Sequence, residues 1–137
     1  MIAPDSSVVI AALAPWHGAH REARAALAGD AVGLPAHVAF ETTSALSRMP
    51  EGQRIAPAVV LEALERGFAK PWLSMDSEAL RDALQRAVGA GVRGGALYDA
   101  LIAATAAHHD ATIVSADRRA LPTYRAMSVE VSLLEAP

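Results

Sequence analysis

Cysteine is absent from the 137-residue sequence, which excludes disulfides and thiolate metal sites and is compatible with a reducing compartment. A basic surplus is absent too. Twelve Lys and Arg face fifteen Asp and Glu, for a formal net charge of −3, and this argues against a protein that coats nucleic acid by charge alone. Lysine is almost missing: Lys70 is the only one, and the other basic residues are arginines. Three of these, Arg118, Arg119 and Arg125, crowd one short segment and can form a local basic rim. There is no apolar stretch of the ~20 residues that span a bilayer. The run Val8 to Ala14 resembles the apolar part of a signal peptide, but no Lys or Arg precedes Arg21 and Asp5 lies just upstream, so that reading is rejected. No membrane association and a cytoplasmic location are expected. Internal repeats, linkers and charge blocks are also lacking, so one domain over residues 1–137 is expected.

What the chain has is apolar mass, with 53% hydrophobic and 20% charged residues, enough to bury a continuous core and unlike a disordered composition. Its periodicity switches between short β-like runs and helical stripes. "MIAP" reads as a first strand with Pro4 at its end, since proline removes a ladder donor. "SVVIAALA" starts a helix with Ser6 or Ser7 as N-cap, and a second helix covers about His17 to Ala28. "AVGLP" is a weak strand, and Pro35 opens a helix through "AHVAFETTSALSR". "APAVVLEALERGF" is helical, "PWLSM" a third strand, and "DSEALRDALQRAV" an amphipathic helix capped by Asp76 or Ser77. Glycines then precede a helix over Ala96 to His109. "ATIVS" is the clearest strand, "RRALPTYRA" a short helical piece and "VEVSLL" a last strand. This alternation predicts an α/β fold with a mostly parallel sheet of about five strands, covered on both faces.

In such a sheet the strand C-termini and the following helix N-termini share one edge, where ligands bind. Asp5 closes the first strand, Glu41 lies in the first two turns after the second, Asp99 opens a late helix and Asp117 follows "ATIVS". Four carboxylates are therefore expected on one edge, the three aspartates within metal-bridging reach. Each aspartate alone has an ordinary explanation as a helix cap or a charge favoured by the helix dipole. Glu41 borders the apolar stripe Val38, Thr42, Ala45 and Met49, where an unpaired charge is costly, and its ordinary explanation is a pairing with Arg48. Together, four carboxylates repel one another unless they take up protons or a cation. An all-oxygen set suits Mg²⁺ or Mn²⁺ rather than Zn²⁺, and such a site most naturally acts on phosphate.

The motifs "IAPDSSVVIAAL", "AHVAFETTSALSR", "LYDALIAATAAHHDATIVSADRRA" and the closing "VEV", in this order and spacing, resemble those of PIN-domain ribonucleases, in particular the VapC-type toxins of bacterial toxin–antitoxin pairs. The resemblance extends over essentially the whole chain. It implies a PIN-like three-layer α/β/α sandwich, with Asp5, Glu41, Asp99 and Asp117 at the acidic metal-binding and catalytic positions. Ser115 stands where the family has a hydroxyl facing the site, and Ser6 is the small hydroxyl residue after the first aspartate. Two departures, Pro4 before that aspartate and Ala120 where Phe is frequent, touch no ligand. The resemblance further implies Mg²⁺-dependent endonucleolytic cleavage of RNA by a metal-activated water, a homodimer, and neutralisation by a VapB-type antitoxin. The dimer is expected through the helix between Ala56 and Gly67 and near the His17 helix. Arg118 and Arg119 are candidate RNA contacts. With the four site acids set aside, twelve basic residues face eleven acidic ones, a balance compatible with RNA once metal is bound.

Rival readings are a PIN-fold RNA-processing nuclease outside any toxin–antitoxin pair, a non-catalytic PIN-like module, and a phosphoryl-transfer protein. A haloacid-dehalogenase type wants Asp-x-Asp after the first strand, whereas Asp5 is followed by Ser6 and Ser7; a receiver wants a late Lys, and Lys70 is mid-chain. A histidine metal site from His17 and His20, or His108 and His109, is also conceivable, although histidines at a helix C-terminus are explained by the dipole.

Overall fold

The chain runs β1 (Ile2–Pro4), α1 (Ser6–Leu13), α2 (His20–Ala26), α3 (Ala36–Ser47), α4 (Pro57–Gly67), α5 (Ser77–Gly89), α6 (Ala96–His108), β2 (Thr112–Ser115), a 3₁₀ turn (Arg118–Ala120), α7 (Leu121–Ala126) and β3 (Val131–Leu133). This is a computed structural model, and it describes residues 1–29 and 31–135.

The sheet has the order β1-β2-β3, all parallel, with Ala3 opposite Ile113 and Val114 opposite Ser132. About five strands were expected, and three form ladders. The other two segments are present as single parallel bridges, Ile2 to Val32 and Pro35 to Leu73, which continue the same order beyond β1. Prolines shorten them, because Pro4 and Pro35 have no N–H to extend pairing. What pairing remains is close: Gly33 donates to Ile2 at 2.9 Å, and a Cβ on Gly33 would stand 2.8 Å from Leu73 Cδ1.

Alternation along the strands covers both sheet faces. Ala3 and Ile113 join the larger apolar cluster, with Leu34, Val38, Leu46, Leu64 and Ile102. Val114, with Ile2 packed alongside, belongs to a second cluster with Val8, Ala11 and Ala23 from α1 and α2. The result is three layers. The alanines of α6 explain its depth, since Ala100, Ala103, Ala104 and Ala106 are buried with Ile102, small side chains that let the helix approach its neighbours closely.

Helix ends refine the expectations. α5 is capped by Asp76, which accepts from Ala79 N at 2.8 Å. α1 is capped by Asp5, not by Ser6 or Ser7: Asp5 is extended, with φ −84° and ψ 178°, and its carboxylate accepts from Val8 N. The second helix is shorter than the expected His17 to Ala28, because the chain turns around Gly18 before His20. Among the described residues, no helix is long and apolar enough to cross a membrane.

Candidate active site

The C-terminal end of β1 delivers Asp5 to the sheet edge, its N–H donating to Val114 O at 3.0 Å. Asp5 is only 3% exposed, so its charge needs donors. Oδ1 accepts from Ser7 Oγ and from Val8 N, and Oδ2 accepts from the Tyr124 hydroxyl at 2.7 Å. Ser7 Oγ in turn accepts from Ala116 N at 2.8 Å, which ties the start of α1 to the end of β2. Tyr124 is fully buried on α7. Burial first, then the charge of Asp5 and the hydrogen bond to it, push the phenol far above its ordinary range, so it remains a donor.

Asp117 follows β2 and caps the 3₁₀ turn, accepting from Arg119 N at 2.9 Å and Arg119 Nε at 3.2 Å. Its own N–H donates to the buried Ser115 Oγ at 3.0 Å. Ser115 thus holds the backbone that presents Asp117. The hydroxyl on Asp5 is that of Ser7; Ser6 lines the adjoining cleft with Glu41.

Glu41 and Asp99 are held differently. Glu41 lies on α3, and its Oε1 is buried without a hydrogen bond. His37 Nε2 stands 3.3 Å away, one helical turn earlier, yet the two atoms are too poorly aligned to bond. Burial lowers the pKa of His37, which leaves that neighbour without the charge an ion pair needs. Glu41 is not paired with Arg48, whose side chain forms no ion pair or hydrogen bond among the described residues. Burial, then the charge of Asp5, raises the pKa of Glu41. Asp99 is the fourth residue of α6, beyond the cap at Gly95, so it is not a cap. Burial first, then the charges of Glu41, Asp5 and Asp117, push its pKa up to about 6, against a weaker opposing effect of His37.

Asp99 is thus reached by the charges of the other three acids, and Glu41 by that of Asp5. The four do not close into a ligand set: among the described residues, no group of three or more His, Asp and Glu side chains is gathered tightly enough to hold a metal ion. The expected bridging reach of the three aspartates is not met in this arrangement, in which Asp5 and Asp117 are turned toward their own donors. The donor chemistry still fits a hard cation. Every acid offers carboxylate oxygen, Glu41 Oε1 has no partner, and a cation would relieve the repulsion that raises Asp99.

The histidines offer no rival site. His17 Nδ1 accepts from Ala19 N at 3.0 Å, His20 Nδ1 lies 2.8 Å from Ala11 O and His109 Nε2 lies 2.8 Å from Ser74 O, so these rings are engaged with backbone. Arg118 and Arg119 are exposed beside Asp117. Sequence reasoning missed Ser7, Tyr124, and the pairing of His37 with Tyr98, whose rings stack at 5.2 Å and 10°. The one local signal nearby was the i, i+4 spacing of His37 and Glu41.

Residues 2–125 match the PIN domain family. Ribonuclease VapC40 of Mycobacterium tuberculosis is 41% identical over 134 residues, spanning 98% of this chain and 99% of that protein. Ribonuclease VapC27 of the same species is 38% identical over 132 residues, spanning 95% and 94%. Among solved structures, FitAcB from Neisseria gonorrhoeae has a TM-score of 0.71 at 25% identity and covers 96% of each chain. FitAB bound to an IR36 DNA fragment, at 23% identity, has a TM-score of 0.72 over 97% of this chain and 94% of that one, a likeness of fold.

Proposed function

The chain belongs to the PIN-domain family, with the VapC-type ribonucleases, and from that premise we propose that it is an endoribonuclease toxin acting at the edge formed by Asp5, Glu41, Asp99 and Asp117. The observation that carries this reading is the partnerless pair Glu41 and Asp99, whose pKa values both rise beside the other two acids. Burial and like charges make that arrangement costly to the fold, and a divalent cation would relieve the cost.

The cofactor of this reading is Mg²⁺, with Mn²⁺ as a substitute, held by the four carboxylates. When bound, such a cation supplies an activated water and stabilises charge at the phosphodiester bond as it breaks. The chain's own part is positional. Tyr124 and Ser7 fix Asp5, Ser115 fixes the backbone of Asp117, and Glu41 and Asp99 contribute charge that no protein donor shares. Ser6, beside Glu41, is a supporting hydroxyl. Arg118 and Arg119 are RNA contacts at the rim.

The proposed assembly is one PIN domain over residues 1–137, in the cytoplasm, as a homodimer neutralised by a VapB-type antitoxin. Exposed apolar side chains support protein partners: Val59 and Leu61 on α4 and Trp16 before α2 are 56%, 47% and 40% exposed, on the faces expected for the dimer. A further stripe, Leu80, Leu84 and Val88 on α5, is 41%, 56% and 62% exposed.

The test is cleavage of total RNA by purified protein in Mg²⁺, with EDTA as control, for wild type and Asp99→Asn. Wild type should cut and EDTA should stop it. The variant should remain folded and lose orders of magnitude in rate, as expected when a charged metal ligand is removed. A variant that cuts like wild type would remove Asp99 from the site.

A further inference from the structure

Beside the acidic edge lies a cleft of about 510 Å³, within the size range of small-ligand sites. It is walled by the start of α1, the outer side of α3 and the first turn of α6. Its chemistry is graded. Glu41 and His37 mark the acidic end. Arg48, the residue that ends α3, lies seven positions from Glu41, about 10 Å at the helical rise of 1.5 Å per residue. Phe40 and Tyr98 also line it.

Three of these residues have no evident task in the fold. Phe40 is 74% exposed and Tyr98 56%. Arg48 has no carboxylate or carbonyl partner among the described residues, although it shares the cleft with Glu41. Tyr98 is moreover held in place: its ring stacks on His37 at 5.2 Å and 10°, and α6 sets its backbone next to Asp99. An oriented, exposed aromatic ring one residue from a candidate metal ligand, with an unpaired guanidinium across the same cleft, matches the elements that bind single-stranded nucleic acid: a stacking surface and a cation for the backbone.

We propose that this cleft is a nucleotide subsite, in which a base flanking the scissile bond stacks on the aromatic wall of Tyr98 and Phe40 while a neighbouring phosphate pairs with Arg48. The inference rests on the RNA-cleaving reading and deepens it, because it sets the path of the substrate strand along α3. Stacking tolerates every base, so the subsite fixes position on the strand more than sequence. Tyr98 is then a positioning residue that acts on binding.

The experiment uses a short RNA that the wild-type protein cuts once in Mg²⁺, and versions carrying a single abasic nucleotide at successive positions around the cut. In wild type, one abasic position should raise KM about tenfold. Tyr98→Leu should raise KM about tenfold for the intact RNA, with the effect on KM rather than kcat, and should erase the penalty at that position. Tyr98→Phe should restore both. Arg48→Gln should raise KM and make it less dependent on salt, by about one unit of log–log slope for one lost phosphate contact. Melting curves of the variants should overlay wild type, since both side chains are exposed. Cleavage by wild type with no abasic position that matters, or a Tyr98→Leu penalty equal for intact and abasic RNAs, would overturn the subsite while leaving the nuclease reading standing. Absence of any cleavage by wild type would overturn both.

Discussion

The four carboxylates of the acidic edge fall into two pairs that are held in opposite ways. Asp5 and Asp117 each follow a strand, cap the helical turn that comes next and collect donors from backbone and neighbouring side chains. Glu41 and Asp99 sit inside helices, past the caps at Pro35 and Gly95, and accept no hydrogen bond among the described residues. The first pair contributes to the fold as well as to the site. The second pair is a burden on the fold, visible in the raised pKa of both groups, and a bound cation would relieve it. A structural role and a functional role, which look alike in a list of acidic residues, are separated by asking which acids have donors.

The comparison is sharpened most by removing Asp5. Asp5→Ala deletes the α1 cap, worth about 1 kcal/mol, and strands the buried Tyr124 hydroxyl, which costs about 1–3 kcal/mol more. The urea midpoint should therefore fall well below wild type, and cleavage should be lost. If Asp5→Ala unfolds at the wild-type midpoint, the division into pairs fails.

A smaller effect of opposite sign is expected at Asp99. Its folded pKa of about 6 lies above the ordinary 3.8, so the folded protein holds this proton more tightly than the unfolded chain. The associated stability is present below pH about 4 and is lost as pH rises through about 6. In EDTA at pH 7.5, Asp99→Asn should melt above wild type, and it should weaken the fall in melting temperature between pH 4 and 7. Melting below wild type would mean that the carboxylate has a partner in the folded protein. Added Mg²⁺ should raise the melting temperature of wild type more than that of the variant.

The smallest effect belongs to Arg119→Ala. The guanidinium is 93% exposed where it meets Asp117, a pairing worth less than about 0.5 kcal/mol, and Asp117 keeps the Arg119 backbone N–H. The thermal melt should be unchanged. A loss near 1 kcal/mol would show that side chains, and not the backbone turn, hold Asp117.

The five extended segments and the helices between them were legible along the chain because each is local, a strand-like run followed by a helical stripe, and the proposal of the four acids rests on the same local pattern. Pro4 at the end of β1 and Asp76 as the cap of α5 were legible for the same reason. The cap of α1 was misjudged, with Ser6 or Ser7 expected, because a serine hydroxyl and an aspartate carboxylate are equally good acceptors in isolation. Asp5 takes the role because it is the extended residue before the first turn, whereas Ser6 and Ser7 lie inside α1; Ser7 instead donates to Asp5 and accepts from Ala116 N, 109 residues away. Tyr124 was invisible on the same ground, its partner lying 119 residues distant. Pairing of Glu41 with Arg48 was weighed across two turns, whereas the nearer neighbour is His37 at one turn. Two of the five segments kept only single bridges, as prolines and a close glycine contact limit pairing where the hydrophobic pattern alone suggests strands.

The long reach of the bonds to Asp5 bears on when activity can arise. Ser7 and Val8 donate to Asp5 from the turn that follows it, whereas the Tyr124 hydroxyl and the Ala116 N–H that engages Ser7 lie more than a hundred residues further on, so a nascent polypeptide that carries Asp5 has only part of the set that orients it. A protease nick between α1 and α7 that frees the fragments has the same result. Full orientation of Asp5 is thereby delayed by topology until the residues through Tyr124 have emerged.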